Sequence, residues 1–255
     1  MNVGRREFIH MLSATAVATS QPPMSSATVR PSRIRAVAVD GFVVFDPRPV
    51  AKHVEEIFPG KGTDFVGLWR SRVFEYTWLR TLGNQYKDFW QITADALDYT
   101  AASMKLELPN LQRQQLMEMY RALPPWPDVA ETLAELRRRS VRIAFLANFS
   151  AAMLDVNVAA ARLGEYFEPH LTTDLVHAFK PSPRAYQMGP DAFGLDRRKI
   201  AFAAFGAWDA AGAKWFGYPT VWVNRVDATI EELDTRPDAI VSDFRGVLGF
   251  LDAHR

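Results

Sequence analysis

The stretch IRAVAVDGFVVFD, residues 34–46, is an apolar run that stops at an aspartate. Ile34, Ala36, Val37, Ala38 and Val39 suit a strand covered on both faces, which reads as a continuous apolar run rather than an alternation. Asp40 then falls at the C-terminal end of that strand, where open parallel sheets build their sites. The four residues after it, Gly41-Phe42-Val43-Val44, are apolar, and Asp46 follows six positions after Asp40. From this stretch alone, Asp40 is either an attacking carboxylate or a polar strand end.

Outward from Asp40, strand-like and helix-like segments alternate. Further strands are expected at Val141–Ala147, Ile200–Phe205 and Thr220–Asn224, with a shorter one at Ala239–Val241. DVAETLAELRRRS, from Asp128, reads as a helix with an acidic cap and three arginines at its end, which complements the helix dipole. The alternation predicts an α/β fold, an open parallel Rossmann-like sheet with right-handed crossovers. One region interrupts it. Residues 64–82, 87–104 and 110–123 all read as helices, with Leu68, Phe74, Trp78 and Leu82 near helical spacing. A helical insert directly after the first strand stands over the site as a cap. The expected organisation is a leader and linker over 1–33, an α/β core from 34–50 and 124–255, and a helical cap over 51–123.

Composition narrows the function classes. Nearly half of the 255 residues are hydrophobic, enough for a sizeable core. The formal charge of +1 gives no electrostatic case for nucleic acid or an anionic membrane. There is no cysteine, which excludes disulfides, thiolate metal sites and thiol nucleophiles. GRREFIHMLSATAVATSQPP, residues 4–23, carries Arg5-Arg6, an apolar run from Phe8 to Val17 and small residues at Ala16-Val17-Ala18. That order resembles a twin-arginine export signal with a small-x-small cleavage site. It predicts a periplasmic protein with no stable membrane span once the signal is removed, and a cytoplasmic one otherwise.

The order of motifs is specific. It runs from strand-Asp40 through LWRSRVFEYTWLRTLGNQYKDFWQIT (68–93), LANFS (146–150) and HAFKPSPRAY (177–186) to AWDAAGAKWFGYPTVWVNR (207–225). This order resembles the haloacid dehalogenase superfamily, and within it the type II L-2-haloacid dehalogenases, over residues 34 to about 250.

The resemblance implies that Asp40 displaces halide from C2 of a short 2-haloacid with inversion, and that water then hydrolyses the aspartyl ester. A carboxylate becomes an effective nucleophile when it is held in a drier pocket and aimed at carbon. Lys180 matches the family lysine that holds the nucleophile ionised, since a nearby opposite charge favours the charged form. Arg70 matches the cap arginine that helps hold the departing halide, with Arg72 and Arg80 as more solvated neighbours. Asn148 matches a donor to substrate or carboxylate oxygen, and Asp209 the acidic residue that positions water and pairs with Lys180. Asp209 also suits an N-cap of a helix over 210–216. Tyr186, Trp208, Phe74, Phe89, Val43 and Gly206 align with the substrate surround, and the four aromatic residues serve equally well as core. The resemblance implies no cofactor, a small-molecule substrate and a homodimer, to which Trp78 and Trp90 of the cap offer apolar surface.

Residue chemistry argues against the superfamily's phosphatases. Their second aspartate, two positions after the nucleophile, is Phe42 here, and Asp209 alone facing Lys180 is a poor cage for Mg²⁺. The chain also departs from the dehalogenase pattern. The first loop is one residue shorter, with Val43 in place of threonine. Ala147 and Ala204 replace serines, and Gly206 replaces asparagine. Two other readings therefore stand beside the dehalogenase: a related hydrolase whose substrate lacks the usual carboxylate, and a non-catalytic capped binding protein outside the cytoplasm.

Overall fold

The computed structural model of the chain describes residues 34–254, so the leader expected over 1–33 lies outside the described residues. In chain order, β1 (Ala36–Val39) leads into the single turn α1 (Gly41–Val44). Four helices follow: α2 (Arg48–Ile57), α3 (Gly62–Leu82), α4 (Phe89–Ser103) and α5 (Asn110–Met119). The alternation then resumes with α6 (Val129–Arg138), β2 (Arg142–Ala147), α7 (Ala151–Ala160), β3 (Leu171–Thr172) and α8 (Pro183–Phe193). It ends with β4 (Ile200–Ala204), α9 (Ala207–Phe216), β5 (Thr220–Val223), β6 (Ala239–Val241) and α10 (Gly246–Asp252). No helix among the described residues is long and apolar enough to cross a membrane.

The strands form one parallel sheet in the order β3-β2-β1-β4-β5-β6. β3, only two residues long, escapes sequence patterning, since so short a strand has no period to detect. β1 shows how the sheet is covered. Successive side chains point to opposite faces, so Val37 and Val39 enter one apolar cluster while Ala36 and Ala38 enter the other. β2 and β4 divide in the same way, Ile143 and Phe145 on the first face, Ile200 and Phe202 on the second. The reversal of strand order between β1 and β4 makes their C-terminal ends the natural crevice.

Two local expectations are corrected. The buried stripe of α3 is Phe65, Trp69, Val73 and Thr77, at strict four-residue spacing, whereas Leu82 is 82% exposed. Asp128 precedes α6 without capping it: its carboxylate binds the Arg225 guanidinium at 2.8 Å and accepts from the Phe244 amide at 2.7 Å.

α3 and α4 are joined by the Trp69 indole, which donates to the Thr93 carbonyl at 2.9 Å. The last turn of α3 reaches the core directly, where Thr81 Oγ1 accepts from the Phe179 amide, beside Lys180.

Candidate active site

Asp40 follows β1 with its amide still bonded to the Ala203 carbonyl of β4, so the sheet fixes its backbone. Its side chain caps α1. Oδ1 accepts from the Phe42 amide at 2.9 Å, and Oδ2 accepts from Lys180 Nζ at 2.7 Å. The same ammonium donates to Asp209 Oδ2 at 2.6 Å. Lys180 is wholly buried and thus bridges two carboxylates, one at the end of β1 and one in the first turn of the helix that follows β4.

Burial alone favours the neutral amine of Lys180. Asp209 and then Asp40 outweigh it and hold the ammonium above the ordinary lysine value. For Asp209 burial is the largest influence and pushes its carboxyl above the usual carboxylate range. Lys180 opposes this shift, Asp40 adds to it, and the Tyr186 hydrogen bond opposes it further.

Asp209 is not the helix cap. α9 begins earlier, at Ala207 with Gly206 as cap residue, and Asp209 sits inside its first turn. That position aims both oxygens inward: Oδ2 at Lys180, and Oδ1 at the Tyr186 hydroxyl, which donates to it at 2.7 Å. α9 reaches Tyr186 because position 212 is glycine. A Cβ there would lie 2.5 Å from the Tyr186 oxygen and 2.7 Å from Pro181. Tyr186 is therefore behind Asp209, fully buried and outside the cavity lining, and corrects the expectation of a substrate contact. Burial, then Asp209, raises its hydroxyl pKa well above the ordinary tyrosine value, so it stays a donor.

Asn148 follows β2. Its Oδ1 accepts from the Lys180 amide at 3.1 Å, which orients the side chain and leaves Nδ2 buried without a protein partner at the cavity. A buried donor in that state is costly until an acceptor arrives. Trp78 Nε1 is in the same condition.

Above these groups lies a cavity of about 520 Å³ between the cap helices and the sheet. Asp40, Asn148 and Asp209 line it, as do the expected Phe74, Phe89, Gly206 and Trp208. Arg70 reaches it as an exposed residue of α3. Arg72 and Arg80 turn elsewhere, to Glu75 and Asp95. Val43, within α1, is fully buried and does not line the cavity, so it too is no substrate contact. Trp78 faces inward rather than offering an outer surface: its ring meets Trp208 edge-on at 5.6 Å, and Trp208 lies 5.0 Å from Phe74.

Sequence reasoning missed the support of the turn after Asp40. Trp126 Nε1 donates to the Phe42 carbonyl at 3.0 Å, and Arg225 Nη2 donates to the Val43 carbonyl at 2.8 Å. Arg225 in turn is locked by the buried Asp128 and lies over the Trp126 ring. Burial acts to raise the Asp128 pKa, but the bonds from Arg225 and the Phe244 amide outweigh it and hold this carboxyl below the usual range. The one signal was the charged residue ending WVNR, directly after an apolar strand.

The comparison with known proteins agrees with this geometry. The profile of the haloacid dehalogenase-like hydrolase family matches residues 19–217. The (S)-2-haloacid dehalogenase of Pseudomonas sp. (strain YL) is 40% identical over 216 residues, covering 84% of this chain and 93% of that protein. Haloacetate dehalogenase H-2 of Moraxella sp. (strain B) is 39% identical over 210 residues, covering 82% and 94%. A crystal structure of an L-2-haloacid dehalogenase superposes with a TM-score of 0.84 at 38% identity, covering 87% of this chain and all of the other. The Xanthobacter autotrophicus L-2-haloacid dehalogenase with chloropropionic acid covalently bound superposes with a TM-score of 0.79 at 29% identity, covering 86% and 98%. With its parallel sheet, its helices between β1 and β2 and its Asp40–Lys180–Asp209 bridge, the chain belongs to the haloacid dehalogenase-like hydrolases.

Proposed function

We propose that the chain hydrolyses the carbon–halogen bond of 2-haloalkanoic acids through an ester on Asp40. The observation that carries this is the buried Lys180 bridge: its ammonium holds an Asp40 oxygen at 2.7 Å at the floor of a cavity walled in part by aromatic rings. An Asp40 oxygen attacks C2, the C2–halogen bond breaks, and halide leaves with the bonding pair. Water then adds to the Asp40 carboxyl carbon, and the 2-hydroxyacid departs with inverted C2. Asp209, fixed by Lys180 and Tyr186, orients that water and draws its proton. The unpartnered Asn148 Nδ2 and the Arg70 guanidinium offer donors to the anions formed. A covalent chloropropionic acid adduct in the Xanthobacter relative supports the ester step.

The reaction as written needs no metal, because the charge facing Asp40 is Lys180. The exported, periplasmic location and the homodimer belong to the same proposal. Arg5-Arg6 and the apolar run after them support export. Leu79 and Leu82, both exposed near the end of α3, supply apolar surface for a second copy, and sedimentation of the purified chain tests it. The functional test is halide release from 2-chloropropionate, against Asp40→Asn as control, with single turnovers in H₂¹⁸O. Label in the Asp40 peptide is the expected result. Label in the product alone refutes the ester.

A further inference from the structure

The cavity over Asp40 exceeds what a three-carbon acid fills. Its volume of about 520 Å³ falls within the ~300–1,000 Å³ of sites that hold drug-sized ligands. Its chemistry is divided. Asp40 and Asn148 supply polar atoms at the sheet, and Arg70 is the cavity's one cation without an ion pair among the described residues. Much of the apolar part of the wall is aromatic, with Phe42, Phe74, Trp78, Phe89, Phe149 and Trp208, while Asp209, Glu75, Thr93 and Glu231 are polar members of the lining. Two pairs of these rings meet edge-on, Trp78 with Trp208 at 78° and Phe42 with Phe149 at 83°, while Phe74 with Trp78 and Phe89 with Phe149 lie nearly parallel at 26° and 21°. Such a surface presents both ring faces and edges, which suits another aromatic group.

One glycine keeps this wall in place. A Cβ at Gly206 would fall 2.8 Å from Trp208 Nε1 and within 3.3 Å of two further ring atoms. The indole therefore occupies the space that any side chain at position 206 would claim. Phe74 and Trp78 lie 5.0 and 5.6 Å from the same ring, so it has little room to yield.

We infer that the substrate is a 2-haloacid carrying a phenyl-sized apolar group on the carbon chain, and that the Gly206–Trp208 pair sets this preference. The inference rests on the dehalogenase reading above. With C2 at Asp40, the carboxylate and halogen take the polar donors and the remaining substituent runs along the aromatic wall. A methyl group leaves most of that wall uncovered. Burying a phenyl-sized group adds about ten- to hundredfold in affinity or kcat/KM.

The test compares kcat/KM for 2-chloropropionate and 2-chloro-3-phenylpropionate with the full chain, and the binding of both acids to Asp40→Asn by calorimetry. The expected result is a preference for the phenyl acid of about tenfold or more in both measurements. In Gly206→Ala, where the new methyl displaces Trp208, the preference falls toward unity. Halide release from 2-chloropropionate with no phenyl preference overturns this inference and leaves the dehalogenase standing. Halide from neither acid overturns both. A phenyl preference unchanged in both Gly206→Ala and Trp208→Ala overturns the assignment to that pair.

Discussion

Arg225 Nη2 donates to the Val43 carbonyl at 2.8 Å, joining residues 182 positions apart, and so holds the turn that presents Asp40 from behind. The same guanidinium makes two bonds to Asp128, at 2.8 and 3.0 Å, while Trp126 fixes the neighbouring Phe42 carbonyl. The attacking carboxylate is thus oriented on one side by Lys180 and anchored through its backbone on the other.

Removing the guanidinium separates these roles. Arg225→Met strands a buried carboxylate, so a loss of about 3–5 kcal/mol in unfolding free energy is expected from urea denaturation. Asp128→Asn combined with Arg225→Met recovers part of that stability. Both variants keep a kcat lowered about tenfold to a hundredfold with KM little changed, since a turn misplaced by about 1 Å costs that much in rate. A double variant with full kcat refutes the positioning role.

Tyr186→Phe tests the layer behind Asp209. The hydroxyl donates to Asp209 Oδ1 and favours its ionised form. Without it the Asp209 carboxyl, already raised by burial, rises further. The acid limb of the pH–rate profile therefore moves to higher pH, and the plateau kcat falls about tenfold. An acid limb that stays in place refutes the coupling.

Chelation tests the charge balance. Lys180 already neutralises much of the charge of Asp40 and Asp209, with Nζ at 2.7 and 2.6 Å from their oxygens. Prolonged EDTA treatment is expected to leave halide release unchanged. Loss of activity that Mg²⁺ restores overturns the metal-free mechanism.

Export is tested in cells. The wild-type chain is expected in the periplasmic fraction, and changing Arg5 and Arg6 to Lys retains it in the cytoplasm. Cytoplasmic wild type refutes the leader.

Much of this architecture was legible because it rests on local pattern. The apolar runs of β1, β2, β4 and β5 and the long cap helices α3 and α4 carry their period in the sequence. Asp40, Lys180 and Asp209 are distant in sequence, and their order identified them as a set before the sheet brought them together. What stayed hidden depends on tertiary packing. The one-turn α1 and the two-residue β3 have no period. The buried face of α3 is chosen by what α4 offers it, which displaced the stripe read from Leu68, Phe74, Trp78 and Leu82. Asp128 and Asp209 both read as helix caps, because a cap is a local rule. In the folded chain a buried cation, Arg225 or Lys180, claims each carboxylate instead. Tyr186 and Val43 were placed too near the substrate for a related reason: neighbourhood along the chain says nothing of which layer a side chain occupies.

The wall shared by Trp78 and Trp208 has a spectroscopic consequence. Two of the chain's seven tryptophans border the cavity in which the proposed reaction would release halide. Heavy halides quench excited indoles by contact, iodide more than bromide and chloride hardly at all. Each turnover of a bromo or iodo acid therefore dims the protein's own emission until the ion escapes, and the recovery time clocks product departure without any added dye.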